Sequence, residues 1–479
     1  MNGDFSRITF DADAQFSQVL LQQGRVLLDA DFNEQSAIHQ HFLRTLIMDV
    51  VGRACRAGDG FTVAPNGSEE DDFLISAGRF YLDGIMCVAP EGTTFRNQPS
   101  WPVPTGEGLG GEPFVAVIEA WERLVTATQL PDLRELALGG ADTASRAQIR
   151  WQVRPGSAEW FTRETELMRK ALQARFDATE NVEARAAIKT KLDAAAKALQ
   201  TFTDALNNFA TTNAKPNCDA AMALLDALDG ARPLLRASGK QDNDDQDPCA
   251  IAADAQYRGR ENQLYRVEVH TGGLAGEATL KWSRENASVA FRMRQPPLLT
   301  GSNLVVSLET LGRDRRTGLC LGDWVELTGD RVEFAGLARP LGQVTKIDRA
   351  HGSVSVKMHD APTASAFADC TLLRRWDQQV DVDDSGTVPI TEGGDTWIPL
   401  ERGIRVQFLP GGNYRSGDYW LIPARVASGD VLWPRDGEVP RAREPDGVKR
   451  HRAALAFGKK KAGAWVFRPC GGSITPICK

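Results

Sequence analysis

The sequence lacks an apolar run of the ~18–20 residues that a membrane-spanning helix needs, so no membrane span is expected. Its opening, Met1-Asn2-Gly3-Asp4-Phe5, is acidic and has no apolar segment of the kind a secretory leader carries. Long basic runs are missing and the net charge is −7, which leaves a phosphate-binding surface unsupported and makes nucleic acid an unexpected partner. None of the eight cysteines (Cys55, Cys87, Cys218, Cys249, Cys320, Cys370, Cys470, Cys478) forms a Cys-x-x-Cys pair, which removes the usual zinc frameworks. Free, buried thiols after cytoplasmic synthesis are the default, with Cys470 and Cys478 a candidate bridge across a terminal loop. There are only six histidines, and His39 and His41, two apart, cannot share a helix face. No Gly-x-Ser-x-Gly elbow, His-Glu-x-x-His pair or phosphate loop occurs. Carboxylates are plentiful, but nothing singles out one pair for glycoside hydrolysis. The residues therefore predict no enzyme.

What is present begins with Gln22–Gln35. Val26, Leu27 and Leu28 have the length of a short buried strand. Asp31 is placed to cap a helix, and Glu34, three residues on, completes an acidic capping box. Ile38, Phe42, Leu43, Leu46, Ile47, Val50 and Val51 follow the helical period, and Gly52 suits the left-handed residue after the end. The spacing predicts a helix roughly 30 Å long. Its apolar side reads as core, and Gln35, His39, Gln40 and Arg44 read as a polar side open to a partner subunit.

Length suggests two to four domains. Residues 1–60 form the strand–helix segment. Residues 61–157 read as a first β domain, with a hairpin turn at Asp83-Gly84 and a central strand at Phe114–Trp121, apolar on both faces. Pro99–Pro113 is a loop. Residues 158–235 are rich in helix formers, and Ile188, Leu192, Ala195, Leu199, Phe202, Leu206 and Phe209 make a coiled-coil seam. They predict an inserted helical hairpin or small bundle, either packed within the chain or shared between subunits. Residues 236–257 read as an acidic linker. Residues 258–440 carry short strands that suggest a sandwich or barrel, with Tyr265, Val267 and Val269 on the covered face of a half-buried strand. Residues 441–479 are a basic tail ending in a strand near Trp465. The predicted class is α+β, mainly β.

One motif has metal-ligand spacing. Asp381, Asp383 and Ser385 stand at positions 1, 3 and 5 of a calcium-loop pattern, Gly386 at 6 and Glu392 at 12. Strands rather than helices flank it and Pro389 sits at position 9, so an acidic β-turn is the competing reading. Calcium is the one candidate cofactor. The Asp242–Asp247 run lacks the glycine and the distal glutamate and reads as solvated linker.

Several stretches together resemble an uncharacterised bacterial domain family. They are Gly3-Asp4-Phe5-Ser6-Arg7, Gln22–Gln35, Leu133–Thr143, Tyr265–His270, Lys281–Asn286, Gly322–Leu327 and Tyr414–Arg425. They cover most of the chain in order, apart from residues 158–256. Phe32 stands where the family usually has tryptophan, and Ala287 where it usually has glycine. The resemblance implies a neighbourhood of contractile, phage-tail-like injection systems, and hence a structural part at the baseplate or its fibres. It implies other particle subunits as partners (baseplate, sheath or fibre proteins), a homo-oligomer, and cytoplasmic assembly into a particle that is later released. It transfers no catalytic residue. The rival expectations are a surface- or carbohydrate-binding fibre protein using exposed aromatics and, behind it, an enzyme acting on an envelope polymer.

Overall fold

The computed structural model describes residues 2–474, except 68, 101–107, 110–112, 213–214, 240–255, 301–302, 337, 360–363 and 395. Most of the expected acidic linker and of the Pro99–Pro113 loop, together with Cys249 and Cys478, therefore lies outside the described residues. The architecture is α+β and mainly β. Two compact units share the chain. One comprises Met1–Arg7, Leu124–Ala147 and Arg232–Val448; the other comprises Ile8–Arg123, Gln148–Ala231 and Lys449–Lys479. Each is built from segments that the sequence reading set apart. The expected basic tail, for example, supplies sheet strands to the second unit.

That second unit contains two four-stranded sheets. In one, Ala464–Pro469, His451–Lys461, Phe114–Val125 and Arg146–Ser157 lie side by side in that order. In the other, Gly472–Ile474 runs parallel to Ala54–Ala57, followed by Gly78–Leu82 and Ile85–Ala89. Alternation along Phe114–Val125 explains its apolarity on both faces. Phe114, Ala116 and Ile118 enter a core with Phe73, Phe80, Leu82, Trp151 and Trp465. Val115 and Val117 enter another with Phe161, Phe202, Leu206, Phe209 and Leu224. The second core belongs to helices α2 (Ala158–Ala178), α3 (Val182–Thr211) and α4 (Cys218–Ala227). Ser157, Asn181 and Asn217 each accept from a backbone amide of the first turn and fix the three starts. The α3 seam is filled from its own chain, with the Phe202 ring 4.4 Å from that of Phe161. Lys459 Nζ donates to the Phe209 carbonyl at 2.6 Å and closes the α3 C-terminus.

A disulfide joins Cys218, at the head of α4, to Cys470, just after strand Ala464–Pro469. This corrects the expected Cys470–Cys478 bridge. Nearness in sequence picked the wrong partner, because sheet pairing carries the chain end back to the helices.

The Asp83-Gly84 hairpin forms as predicted, with φ of 46° and 77° at the turn and Leu82 opposite Ile85. Gly84 is required twice over, because a Cβ there would lie 2.6 Å from the Arg44 carbonyl oxygen.

The other unit is all antiparallel in its main sheets. Five strands run in the order Val388–Pro389, Thr279–Ser283, Gln263–Val269, Tyr419–Arg425 and Asp430–Val431. A seven-stranded sheet runs from Ala290–Arg292 through Leu372–Trp376, Trp324–Thr328, Leu341–Asp348, Ser353–Met358 and Asn303–Ser307 to Leu298–Thr300. Three short strands, Ile398–Pro399, Arg405–Phe408 and Leu235–Ser238, cover the apolar face of the first sheet around Tyr265, Trp282 and Trp420. Residues 236–238, expected in the linker, are thus strand.

Candidate functional site

The N-terminal segment departs most from expectation. Val26, Leu27 and Leu28 form no strand and are exposed, Val26 to 83%. Helix α1 spans Asp29–Val51, its cap at Leu28 rather than the predicted Asp31, and Leu28 caps it without a side-chain bond. Asp29 and Asp31 lie in its first turn, where their charge suits the helix dipole. Glu34 does not complete a capping box. It accepts from the Thr9 hydroxyl and ties the preceding arm to the helix. Val19 N–H donates to Gln35 at 2.7 Å, and the Phe10 ring lies 5.6 Å from His41.

The two sides of α1 follow the reading from period only in part. Part of the expected partner-facing polar side contacts the chain itself. Arg44 pairs with Glu122 at 2.8 Å and Gln40 also reaches Glu122. Ile38 and Ala30 are its buried residues. Phe42, Leu43, Leu46 and Val50, expected as core, stand exposed, Val50 to 76%, as does Phe32.

Within residues 8–50 lie thirteen of the large apolar side chains exposed among the described residues: seven on the arm (Ile8, Phe16, Leu20, Leu21, Val26, Leu27, Leu28) and six on α1. At roughly 100 Å² each they offer somewhat more than 1,000 Å² of apolar surface, above the ~800 Å² one partner brings to a standard interface. Exposed apolar surface of this extent is more than a single chain usually leaves to water.

A second assembly is buried. Strand Gln263–Val269 is covered on both faces rather than half-buried, and its charged residues meet charges from neighbouring strands. Arg266 bonds Glu268 at 2.6 Å, and Lys281 joins Glu268 at 3.3 Å to Glu326 at 2.7 Å. Trp376 Nε1 donates to Glu326 at 2.9 Å, and Lys281 lies 4.3 Å over the Trp376 ring. Burial opposes the charged form of Glu268, yet Arg266, Lys281 and Arg374 outweigh it and hold its pKa at about 2. The same strand pairs Tyr419–Arg425, and Asn286 donates to the Gly3 carbonyl while Arg425 donates to that of Ser6. Phe5 packs on Leu264, Tyr419 and Leu421. Four of the stretches that carry the family resemblance, Tyr265–His270, Lys281–Asn286, Gly322–Leu327 and Tyr414–Arg425, thus converge on a structural ion network and a clasp for Gly3, Phe5 and Ser6. Period-2 alternation could not reveal this. The one sequence signal was Lys281 beside Trp282 in a strand otherwise too apolar for solvent.

His270 closes this network with Nδ1 buried and unpaired. Burial first, then the charge of Lys281, lowers its pKa from 6.5 to about 4 against the pull of Glu326, Glu268 and Asp383. The unfolded chain takes up this proton near pH 6.5 and the folded chain only near 4, so the stability is whole above 6.5 and is lost as pH falls through that window. The loss amounts to about 3 kcal/mol. Urea midpoints at pH 7.5 and pH 4.5 measure it. In His270→Gln the difference between the two midpoints shrinks; an unchanged difference sinks this assignment.

The calcium-loop residues are not drawn around a common centre. Asp383 accepts from the Ser385 amide and hydroxyl, at 2.9 and 2.6 Å, and from Thr387, which makes it the hub of a tight turn. Gly386 has φ of 88° and a Cβ there would overlap the Trp324 ring, which accounts for the glycine without a metal. Glu392 spends its carboxylate on the Gly411 and Gly412 amides and the Tyr414 hydroxyl. Asp381 takes the left-handed conformation, φ 55°, before the turn. Among the described residues no three His, Cys, Asp or Glu side chains are gathered to hold a metal ion, and no helix is long and apolar enough to cross a membrane.

A family model described as a family of unknown function (DUF6519) matches residues 1–479. No curated protein matches. Among solved structures, a chain of the type VI secretion system TssK-TssF-TssG baseplate subcomplex is similar at 13% identity and a TM-score of 0.18, over 39% of this chain and 80% of that one. A crystal structure of TssK is similar at 8% identity and a TM-score of 0.19, over 82% of this chain and 99% of that one. Scores this low assign neither fold nor role.

Proposed function

Because the chain belongs to the DUF6519 family of unknown function over residues 1–479, we propose that it is a structural subunit of a contractile, phage-tail-like injection particle, seated at the baseplate or its fibres. The resemblance of its signature stretches to a family associated with such particles supports the class. The observation that carries the reading is the apolar surface of residues 8–50, which is large enough for a stable interface and lies within a single unit, the one that includes Ile8–Arg123. The conspicuous buried charges are satisfied mainly by one another, as in a load-resisting core. Neighbouring particle subunits are the partners proposed for the arm, with assembly in the cytoplasm before release.

The test leaves both units folded. Leu20→Asp, Leu21→Asp and Leu27→Asp change only exposed arm residues. In a producing strain carrying the triple variant, negative-stain images are expected to show particles with incomplete baseplates or appendages. Complete particles, indistinguishable from wild type, overturn the reading.

A further inference from the structure

Residues 2–7 form neither helix nor strand, yet Gly3 is buried. Asn286, itself 1% exposed, donates its side-chain amide to the Gly3 carbonyl at 2.9 Å. Arg425 donates to the Ser6 carbonyl at 2.9 Å. Between these two bonds the Phe5 ring rests on Leu264, Tyr419 and Leu421. The segment is thus held by its main chain at two places and by one aromatic anchor. Folded domains recognise extended peptides in this way, with main-chain bonds for affinity and a side-chain pocket for selectivity.

The receiving surface is assembled without help from the segment. Leu264 belongs to the strand pair Gln263–Val269 with Tyr419–Arg425. The Asn286 N–H donates to the Leu264 carbonyl at 2.9 Å, and the Asn286 side-chain oxygen accepts from Arg266 at 3.5 Å. The Arg266 guanidinium in turn lies 3.6 Å from the centre of the Tyr419 ring and steadies it. A surface built beforehand loses little to ordering when a ligand arrives. Asn286 stands 283 residues from Gly3, and Arg425 stands 419 residues from Ser6, so neither bond depends on nearness in sequence.

Two further residues of the segment fit their places. A Cβ at Gly3 would lie 2.6 Å from Leu124 and 2.7 Å from the Phe5 ring, so a side chain there disturbs the seating of Phe5. Asp4 brings a negative charge to Arg316, whose pKa is raised chiefly by its bond to Glu285, with Glu261 and Asp4 adding to the effect.

We infer that this surface is a peptide-binding site whose resident ligand is Gly3-Asp4-Phe5-Ser6, and that it binds the same extended Gly-x-Phe segment when the segment is not joined to the chain. A vacated site leaves the buried Asn286 amide without this acceptor and opens Leu264, Tyr419 and Leu421 to water, and both losses drive rebinding. The inference concerns the isolated chain, so its failure leaves the proposed place in an injection particle untouched.

The test uses the full-length chain with its own segment unseated. Phe5→Ala removes the anchor, and Gly3→Glu blocks the close approach at the other end. Both positions lie outside every sheet, and far-UV circular dichroism checks that the variants stay folded. The probe is a synthetic peptide of residues 2–8 with a fluorophore at its C-terminus, read by anisotropy. Saturable binding to both variants is expected, with a dissociation constant of about 10–100 µM. Wild type, whose site is filled by a tethered competitor, should bind the probe at least about tenfold more weakly. A probe carrying Phe5→Ala, or the same residues in shuffled order, should likewise bind at least about tenfold more weakly. A folded variant that shows no saturable binding, wild type that binds the probe as tightly as the variants, or a shuffled peptide that binds equally well overturns the inference.

Discussion

Glu119→Ala is expected to destabilise its unit by about 3–5 kcal/mol, the usual cost of leaving buried charge uncompensated. Glu119 is buried on strand Phe114–Val125. It accepts from Gln152 at 3.0 Å, Arg450 at 3.0 Å and Arg452 at 2.8 Å. Burial works to raise its pKa, but Arg450, Arg452 and Arg154 overcome that and hold it far below the usual carboxylate range. Arg450 further lies over the Trp121 ring at 5.1 Å, which adds a second contact that holds it in place. Removing the carboxylate takes from Arg450 its bonded carboxylate and leaves Arg452 the longer pair with Asp229, at 3.7 Å, in the strand pairing that binds residues 449–479 to the rest of the unit. Glu119→Gln keeps an acceptor and should fall between the two. Urea unfolding followed by tryptophan fluorescence measures the series. A change under about 1 kcal/mol for the alanine variant would mean that water reaches the cluster and screens it.

Breaking the Cys218–Cys470 bridge should have an effect of similar size. The bridge closes a loop across 252 residues of sequence. Chain-entropy bookkeeping for so long a loop comes to about 5 kcal/mol, with measured native bridges ranging over about 2–5 kcal/mol. It ties α4 to the strand beside His451–Lys461, the same terminal segment that Glu119 holds. The double variant Cys218→Ala/Cys470→Ala is therefore expected to melt well below wild type and to lose all sensitivity to dithiothreitol. If wild type melts identically with and without reductant while mass analysis shows both thiols released, the bridge contributes nothing.

Both predictions concern features that sequence reasoning approached unequally. The Phe114–Trp121 strand was legible because apolarity on both faces has one common solution, burial between two layers. The Asp83-Gly84 turn was legible because few residue pairs tolerate positive φ in succession. The helices from 158 to 227 followed from composition and a regular seam. Glu119 was invisible as a buried charge, since its two bonded arginines lie over three hundred residues away and nothing local marks them. The Arg266–Glu268–Lys281–Glu326 network was hidden for another reason: alternation made its charges look like a solvated face. The disulfide was misassigned because spacing measures chain length, whereas bridging needs Cα atoms a few ångströms apart, here 5.6 Å.

Helix α1 marks the boundary between the two kinds of knowledge. Its existence, length and apolar stripe were set by the period of Ile38 to Val51 and by Gly52, all local terms that any context would respect. Which side faces inward was not. The Arg44–Glu122 pair, the approach of Gly84 to Arg44 and the burial of Ile38 turn the helix so that Phe32, Leu43, Leu46 and Val50 look outward. A periodic sequence specifies an amphipathic element up to a rotation about its axis. Contacts made by residues far along the chain choose the rotation, and that choice turned an expected core helix into one with an exposed apolar face.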